Sequence, residues 1–247
     1  MTSKTEAQVG RPWGVWATLG WGAGGAVVAV AAELLGFGAF MAWQSAAHPE
    51  WRSALENFQT NGPLLAVVTL VSTPLIVGFL IYAARRSRMT ASDYLALHWP
   101  APKELAIGVA ALAIVIVLSD ASAALSGRDV VPAFMTETYR SALEAGFLPL
   151  LVIAFVVGAP LQEEIAFRGF FYRGFAARLG VPIAIVVTSA FWAALHVQYE
   201  WFFIGQIFFI GLVLGWLRWR SGSTVLTMAL HAISNAIALT ETAIYLS

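Results

Sequence analysis

Residues 147–180 read FLPLLVIAFVVGAPLQEEIAFRGFFYRGFAARLG. The stretch begins as an apolar run and does not end at its charges, because Phe167, Phe170 and Phe171 carry the apolar character past Glu163 and Glu164. The apolar runs of this chain are too long and unbroken for barrel strands, which are roughly ten residues with alternating polarity. A helix is therefore expected, and an ionisable group at bilayer depth in it costs about 2.5–3.5 kcal/mol. Glu164 and Arg168 stand at i,i+4 with the acid on the amino side, the favourable order for a helical ion pair. Pro160 lies just before the acidic pair. It lacks an N–H and would free the carbonyl of Val156, so a local bend is expected there. Gly180 suits a turn, and Pro182 suits the first turn of the next helix.

The rest of the chain agrees with a membrane setting. Of 247 residues, 59% are hydrophobic and 11% charged, with a mean hydropathy of +0.75. An ordinary soluble domain carries about 25% charged residues. The expectation is an integral membrane protein, an all-α polytopic bundle of seven to eight spans. Fourteen Lys and Arg balance fourteen Asp and Glu without a basic block, which excludes a disordered chain and a nucleic-acid binder. The absence of cysteine removes disulfides, thiolate catalysis and sulfur-ligated zinc. No cleavable signal peptide is expected from the polar first ten residues.

Seven spans are expected: Val15–Trp43, Leu64–Ala84, Leu105–Ala124, Phe147 running past Glu163, Val181–Gln198, Trp201–Leu217 and Thr224–Leu246. An eighth requires residues 132–146 to dip into the membrane. With no visible repeat, residues 1–247 are read as one membrane domain, in which 147–246 carries the polar motifs. Lys4, Arg11, Arg85, Arg86, Arg88, Lys103, Arg168, Arg173, Arg178, Arg218 and Arg220 fall on one side, and Arg52, Arg128 and Arg140 on the other. The positive-inside rule then makes the amino terminus cytoplasmic, and an odd span count puts the carboxyl terminus outside. In the 85–104 loop, Thr90 and Asp93 resemble a capping box opening a short helix that Pro100 and Pro102 would end, a surface connection.

Polar residues inside the apolar spans are the candidates for chemistry. His231 and Asn235 share a helix face at i,i+4, as do Trp192 and His196. If the chain turns at Gly180, Glu163 and His196 come level about 24–26 Å from the tip at 1.5 Å per residue. His231 reaches a comparable depth, so three helices would bring polar groups to one level in the cytoplasmic leaflet. A carboxylate beside an imidazole, shielded from bulk water, can activate a water molecule. Arg168 would hold Glu164 ionised while Glu163 cycles. His231 and Asn235 could stabilise an oxyanion, a constellation suited to amide hydrolysis. His-Glu-x-x-His and Gly-x-Ser-x-Gly motifs are missing, and Asp120 stands only at a span edge. Zinc on Glu163, His196 and His231 is chemically feasible, but nothing in the spacing demands a metal or other cofactor. Glu33 is read as structural or cavity-facing, Glu241 as solvated near a span end, and His48 and His98 as loop residues. The tryptophans, Trp13, Trp16, Trp51, Trp99, Trp201 and Trp219 among them, are read as an interfacial belt.

Three elements in order carry a resemblance: Glu163-Glu164-x-x-x-Arg168, Trp192-x-x-x-His196 and His231-x-x-x-Asn235. In that order and spacing the chain resembles the CPBP family of intramembrane glutamic endopeptidases, which includes the CAAX prenyl proteases. The resemblance covers residues 160–236. It implies an all-helical membrane protease with Glu163 as general base, His196 as its partner, His231 and Asn235 on the oxyanion, and Glu164 and Arg168 in support. It also implies a membrane-associated peptide or protein substrate, CAAX-like or bacteriocin-related, and a place in the bacterial inner membrane. The competing readings are a non-catalytic scaffold or bacteriocin-immunity protein on the same fold, a zinc-dependent protease, and, more remotely, a transporter.

Overall fold

The computed structural model describes residues 10–47 and 57–247; Lys4, His48, Trp51 and Arg52 lie outside them. Among the described residues there is no strand. The helices are α1 (Val15–Ala47), α2 (Gly62–Arg85), α3 (Ala91–Leu95), α4 (Pro102–Leu125) and α5 (Ala133–Glu144). After them come α6 (Leu148–Leu179), α7 (Val181–Ala194), α8 (Trp201–Ser221) and α9 (Thr224–Tyr245).

Local chemistry sets the boundaries. The Asn61 side chain caps α2 by accepting from the Leu64 N–H at 2.9 Å, with Pro63 in the first turn. Ser223 caps α9 by accepting from the Leu226 N–H at 3.1 Å. Both devices satisfy an orphan donor of a helix start. The connections from α6 to α7 and from α8 to α9 turn on Gly180 (φ +82°) and Gly222 (φ +67°), a region that a Cβ disfavours.

Small residues set the helix crossings. Gly36 of α1 lies against the backbone of Val68 in α2, where a Cβ would come within 2.8 Å of the Val68 Cα. At the other end of this antiparallel pair the Trp13 indole donates to the Ala83 carbonyl at 3.0 Å. In the α7–α8 hairpin, Gly211 faces Ser189 and Gly215 faces Ile185. Gln206 of α8 donates to the Ser119 carbonyl of α4 at 2.9 Å, and Arg220 pairs with Glu104 at 2.9 Å. Gly108 of α4 packs on Leu226 and Leu230 of α9. The chain thus runs back and forth along the bundle.

Of the expected seven to eight spans, five helices among the described residues, α1, α2, α4, α6 and α8, are long and apolar enough to cross a membrane. The expected span Val181–Gln198 stops at Ala194, a 14-residue helix, because a turn forms over 195–199 and places His196 in it. Helix α9 has the length but is diluted by its polar face. Residues 133–144 form an amphipathic helix, α5, that buries Met135, Thr138 and Ala142 and exposes Glu137, Arg140 and Glu144.

The 85–104 connection is also more than a surface loop. Thr90 caps α3 by accepting from the Asp93 N–H at 3.1 Å, but α3 ends at Ala96 in the left-handed region (φ +51°), well before the prolines. Tyr94 and Leu95 are fully buried. The Thr224 N–H donates to the Ala96 carbonyl at 2.9 Å and the Thr224 hydroxyl to the Leu95 carbonyl at 2.6 Å. The Ser223 hydroxyl donates to the His98 carbonyl. This segment therefore pins the start of α9.

Helix α6 is interrupted by two π stretches, Ala154–Gly158 and Ile165–Phe171, flanking the acidic pair. In the first, the Ala159 N–H reaches back five residues to the Ala154 carbonyl. The next carbonyl in that register is Phe155, and its partner position is Pro160, which has no N–H. In that register the proline offers no donor to Phe155, and the bend expected near Pro160 coincides with a π stretch.

Candidate active site

Glu163 and Glu164 stand on adjacent positions of α6 and look in different directions. Glu163 is half-buried and lines a cavity of about 360 Å³; Glu164 is fully buried behind it. The same cavity is lined by His196 from the α7–α8 turn and by His231 and Asn235 from α9. Four of the six residues named from the sequence thus share one cavity, while Glu164 and Arg168 form its backing.

The backing is an ionic unit. One Glu164 oxygen, Oε1, accepts from Arg168 Nη1 at 2.9 Å and from His231 Nδ1 at 3.0 Å. Arg168 is fully buried, donates from Nη2 to the Gly211 carbonyl at 3.3 Å, and sets its guanidinium 4.4 Å from the Trp192 ring centroid. A buried charge is tolerable only when paired and hydrogen-bonded, and this arrangement supplies both from three helices. Because a carboxylate accepts, His231 donates from Nδ1 and turns Nε2 away from Glu164.

Trp192 links the two halves of the site. Its indole N–H donates to Glu163 Oε2 at 2.5 Å, and its backbone carbonyl accepts from His196 Nδ1 at 2.8 Å. A carbonyl can only accept, so His196 donates from Nδ1 and turns Nε2 away from that bond. The indole ring lies 5.1 Å from the His196 ring and 5.3 Å from the His231 ring, edge-on to both. The sequence offered Trp192 only as the aromatic four residues before His196. Its contact with Glu163 is tertiary and has no sequence signal.

Asn235 has a partner the sequence does not announce. Its amide donates to the Phe155 carbonyl at 2.8 Å, the carbonyl that stands opposite Pro160 in the π register. One amide hydrogen remains for other work. Gln162, one residue before Glu163, lies 3.2 Å from the Thr73 hydroxyl of α2 and helps fix the helix on this face.

Four further residues take their places in the structure. Asp120 and Glu241, read as a span edge and a solvated end, both line the cavity. Glu33 is exposed on α1 and does not line it. His98 lies at the surface, 3.7 Å from Asp93. Among the described residues, no group of three His, Cys, Asp or Glu is arranged to hold a metal ion.

A helical membrane protein with a carboxylate, two imidazoles and an amide around one cavity has the parts of a hydrolase of the membrane interior. Residues 145–237 match the family described as Type II CAAX prenyl endopeptidase Rce1-like, so the resemblance read from three short motifs holds over that stretch. One relative is the "Uncharacterized 24.3 kDa protein" of Escherichia coli, 30% identical over 109 residues, which are 43% of this chain and 50% of that protein. The chain therefore aligns with half the length of that relative. No solved structure matches the chain.

Proposed function

We propose that the chain is an intramembrane endopeptidase that hydrolyses a peptide bond of a membrane-associated substrate with a water activated by Glu163 and His196. The observation that carries the reading is the shared cavity, with Glu163 and His196 both fastened to Trp192. A water held between the Glu163 carboxylate and His196 Nε2 loses its proton to Glu163 as its oxygen attacks the carbonyl carbon. The carbonyl π electrons move onto oxygen. His231, held by its Nδ1–H on Glu164, and the second amide hydrogen of Asn235 stabilise that oxyanion. Collapse breaks the C–N bond, and the proton held by Glu163 passes to the departing amine. The scheme uses side chains alone and needs no metal.

The Rce1-like match makes a prenylated CAAX-type chain one candidate substrate, and a bacteriocin-related peptide another. By the distribution of Lys and Arg, the amino terminus lies in the cytoplasm of a bacterial plasma membrane. His231 lies seven residues into α9, about 10 Å along the helix, which supports a site in the cytoplasmic leaflet.

Glu163→Ala and His196→Ala are expected to abolish cleavage while insertion and melting in detergent stay those of the parent. Peptides released by parent membranes and missing from Glu163→Ala membranes identify the substrate. Full activity of both variants on a substrate cut by the parent rejects the assignment. Retained complementation by Glu163→Gln favours the scaffold reading instead.

A further inference from the structure

We propose that Arg173 of α6 and Arg218 of α8 form a binding site for a phosphate-bearing anion, with the headgroup of an anionic lipid as its favoured source. Neither arginine lines the cavity that holds Glu163, so the site is separate from the endopeptidase reading and does not depend on it.

Contacts define one end of the bundle. There Trp13 meets Ala83, Gly14 approaches Arg178, Thr224 meets Leu95 and Ala96, and Arg220 pairs with Glu104. Arg85, Arg86, Arg88, Lys103, Arg178 and Arg220 gather at this basic end, which by the positive-inside rule faces the cytoplasm. Arg218 stands four residues before the Gly222 turn and Arg173 seven before the Gly180 turn, both turns of this end. At 1.5 Å per residue they lie within about 10 Å of it, close to the depth of lipid headgroups.

Arg168, Arg220 and Arg128 each have a carboxylate, Glu164 and Glu104 at 2.9 Å and Glu200 at 3.8 Å. Arg173 and Arg218 have none among the described residues. Arg218 is only 4% exposed, yet its one hydrogen bond runs from Nε to the Arg168 carbonyl at 3.0 Å. Its Nη2 is buried without a partner, and so is Nε of Arg173. The Tyr172 ring lies 5.1 Å from the Arg218 guanidinium, which eases burial of the cation without neutralising it. The two guanidiniums are near enough to act on each other as like charges. The described acids of this end are already engaged, Asp93 beside His98 and Glu104 by Arg220. A buried cation without an anion is costly, and a second one beside it adds to the cost. Guanidinium donors match phosphate oxygens in geometry and charge, and basic pockets between helices on the cytoplasmic side suit anionic headgroups. Arg173 is half-buried, so an anion can approach the pair from its side.

Melting of the full chain in detergent micelles provides the test. Phosphatidylglycerol in about tenfold excess over its Kd should raise the parent's melting temperature by about 3–6 °C, and phosphatidylcholine at the same fraction should not. Arg173→Gln and Arg218→Gln should each lose that rise, whereas Arg85→Gln, exposed at the same end, should keep it. Without anionic lipid, Arg173→Gln should melt no lower than the parent, because it removes a repulsion; an arginine that served structure alone would leave a less stable protein. Inorganic phosphate in lipid-free micelles is the second arm. A rise with phosphate that Arg173→Gln abolishes, and to which phosphatidylglycerol adds nothing, supports the site with the free ion as its source. A rise that survives in Arg173→Gln, an equal rise with phosphatidylcholine, loss of the rise in Arg85→Gln as well, or no rise with either lipid or phosphate overturns the proposal. If Arg218→Gln fails to fold, Arg173→Gln decides alone. Melting requires no turnover, so the result is independent of whether the protein cuts peptides.

Discussion

Trp192 holds the acid with its indole and the imidazole with its backbone, so one side chain sets the spacing of both. Trp192→Phe keeps the ring among His196, His231 and Arg168 but removes the N–H from Glu163. A hydrogen bond to a charged group is worth about 1.5–3 kcal/mol, so kcat should fall about 10- to 100-fold in a protein that still melts near the parent temperature. Unchanged kcat would show that the indole N–H does not position the carboxylate. Glu164 belongs to a different class of residue, because its loss strands Arg168 as a buried, unpaired cation. Glu164→Gln should destabilise the bundle by about 3–5 kcal/mol, read as a lower melting temperature in detergent. The sequence displayed both partners of this pair at i,i+4, since a helical ion pair is local. It could not display Trp192 on Glu163, because that bond joins α6 to α7 across 29 residues.

At the scale of the element, the instructive case is α6 and its proline. Pro160 was readable as a missing donor, but which carbonyl it orphans depends on whether the turn is α or π, and that is decided by packing against α2 and α9. Gly158 approaches Thr69 and Thr73, and Asn235 reaches Phe155. If Asn235 replaces the donor that Pro160 lacks, the two are coupled. Asn235→Ala should cost about 1–3 kcal/mol, and most of that loss should vanish in a Pro160→Ala background, where the main chain regains an N–H. Melting of the four variants of this cycle gives the coupling. Cleavage should not be rescued by Pro160→Ala if the second amide hydrogen serves the oxyanion, which separates the two duties of Asn235. Helix α7 shows the opposite limit of sequence reading. Its apolar run to Leu195 looked like a span continuing to Gln198, yet the helix stops at Ala194 and the polar His196 occupies a turn.

For the molecule as a whole, the all-helical bundle was legible because 20-residue apolar runs admit few alternatives in lipid. The number of crossings was less legible, because the expected span to Gln198 is a 14-residue helix, α7, and the 22-residue α9 carries polar residues along its length. The antiparallel order of the passes puts the start of α1 at the basic end and the end of α9 at the other. A reporter fused behind Ser247 should therefore be active in its extracytoplasmic form, and a reporter joined in the Arg86–Thr90 connection in its cytoplasmic form. Both on one side would contradict an odd number of crossings.

The two wide turns of α6 have a genetic meaning as well as a geometric one. A single π-turn holds one residue more than the α-turn it replaces, so 154–158 behaves as a one-codon insertion that never left. Deleting any one of those codons would let the helix close up into ordinary pitch, and everything before the deletion would swing by about 100° about the axis relative to Glu163. Leu151 and Ala154, now fully buried, would leave their seats. Homologues that align across this segment without a gap should share the aim of the carboxylate, and a one-residue gap there should mark a differently directed one.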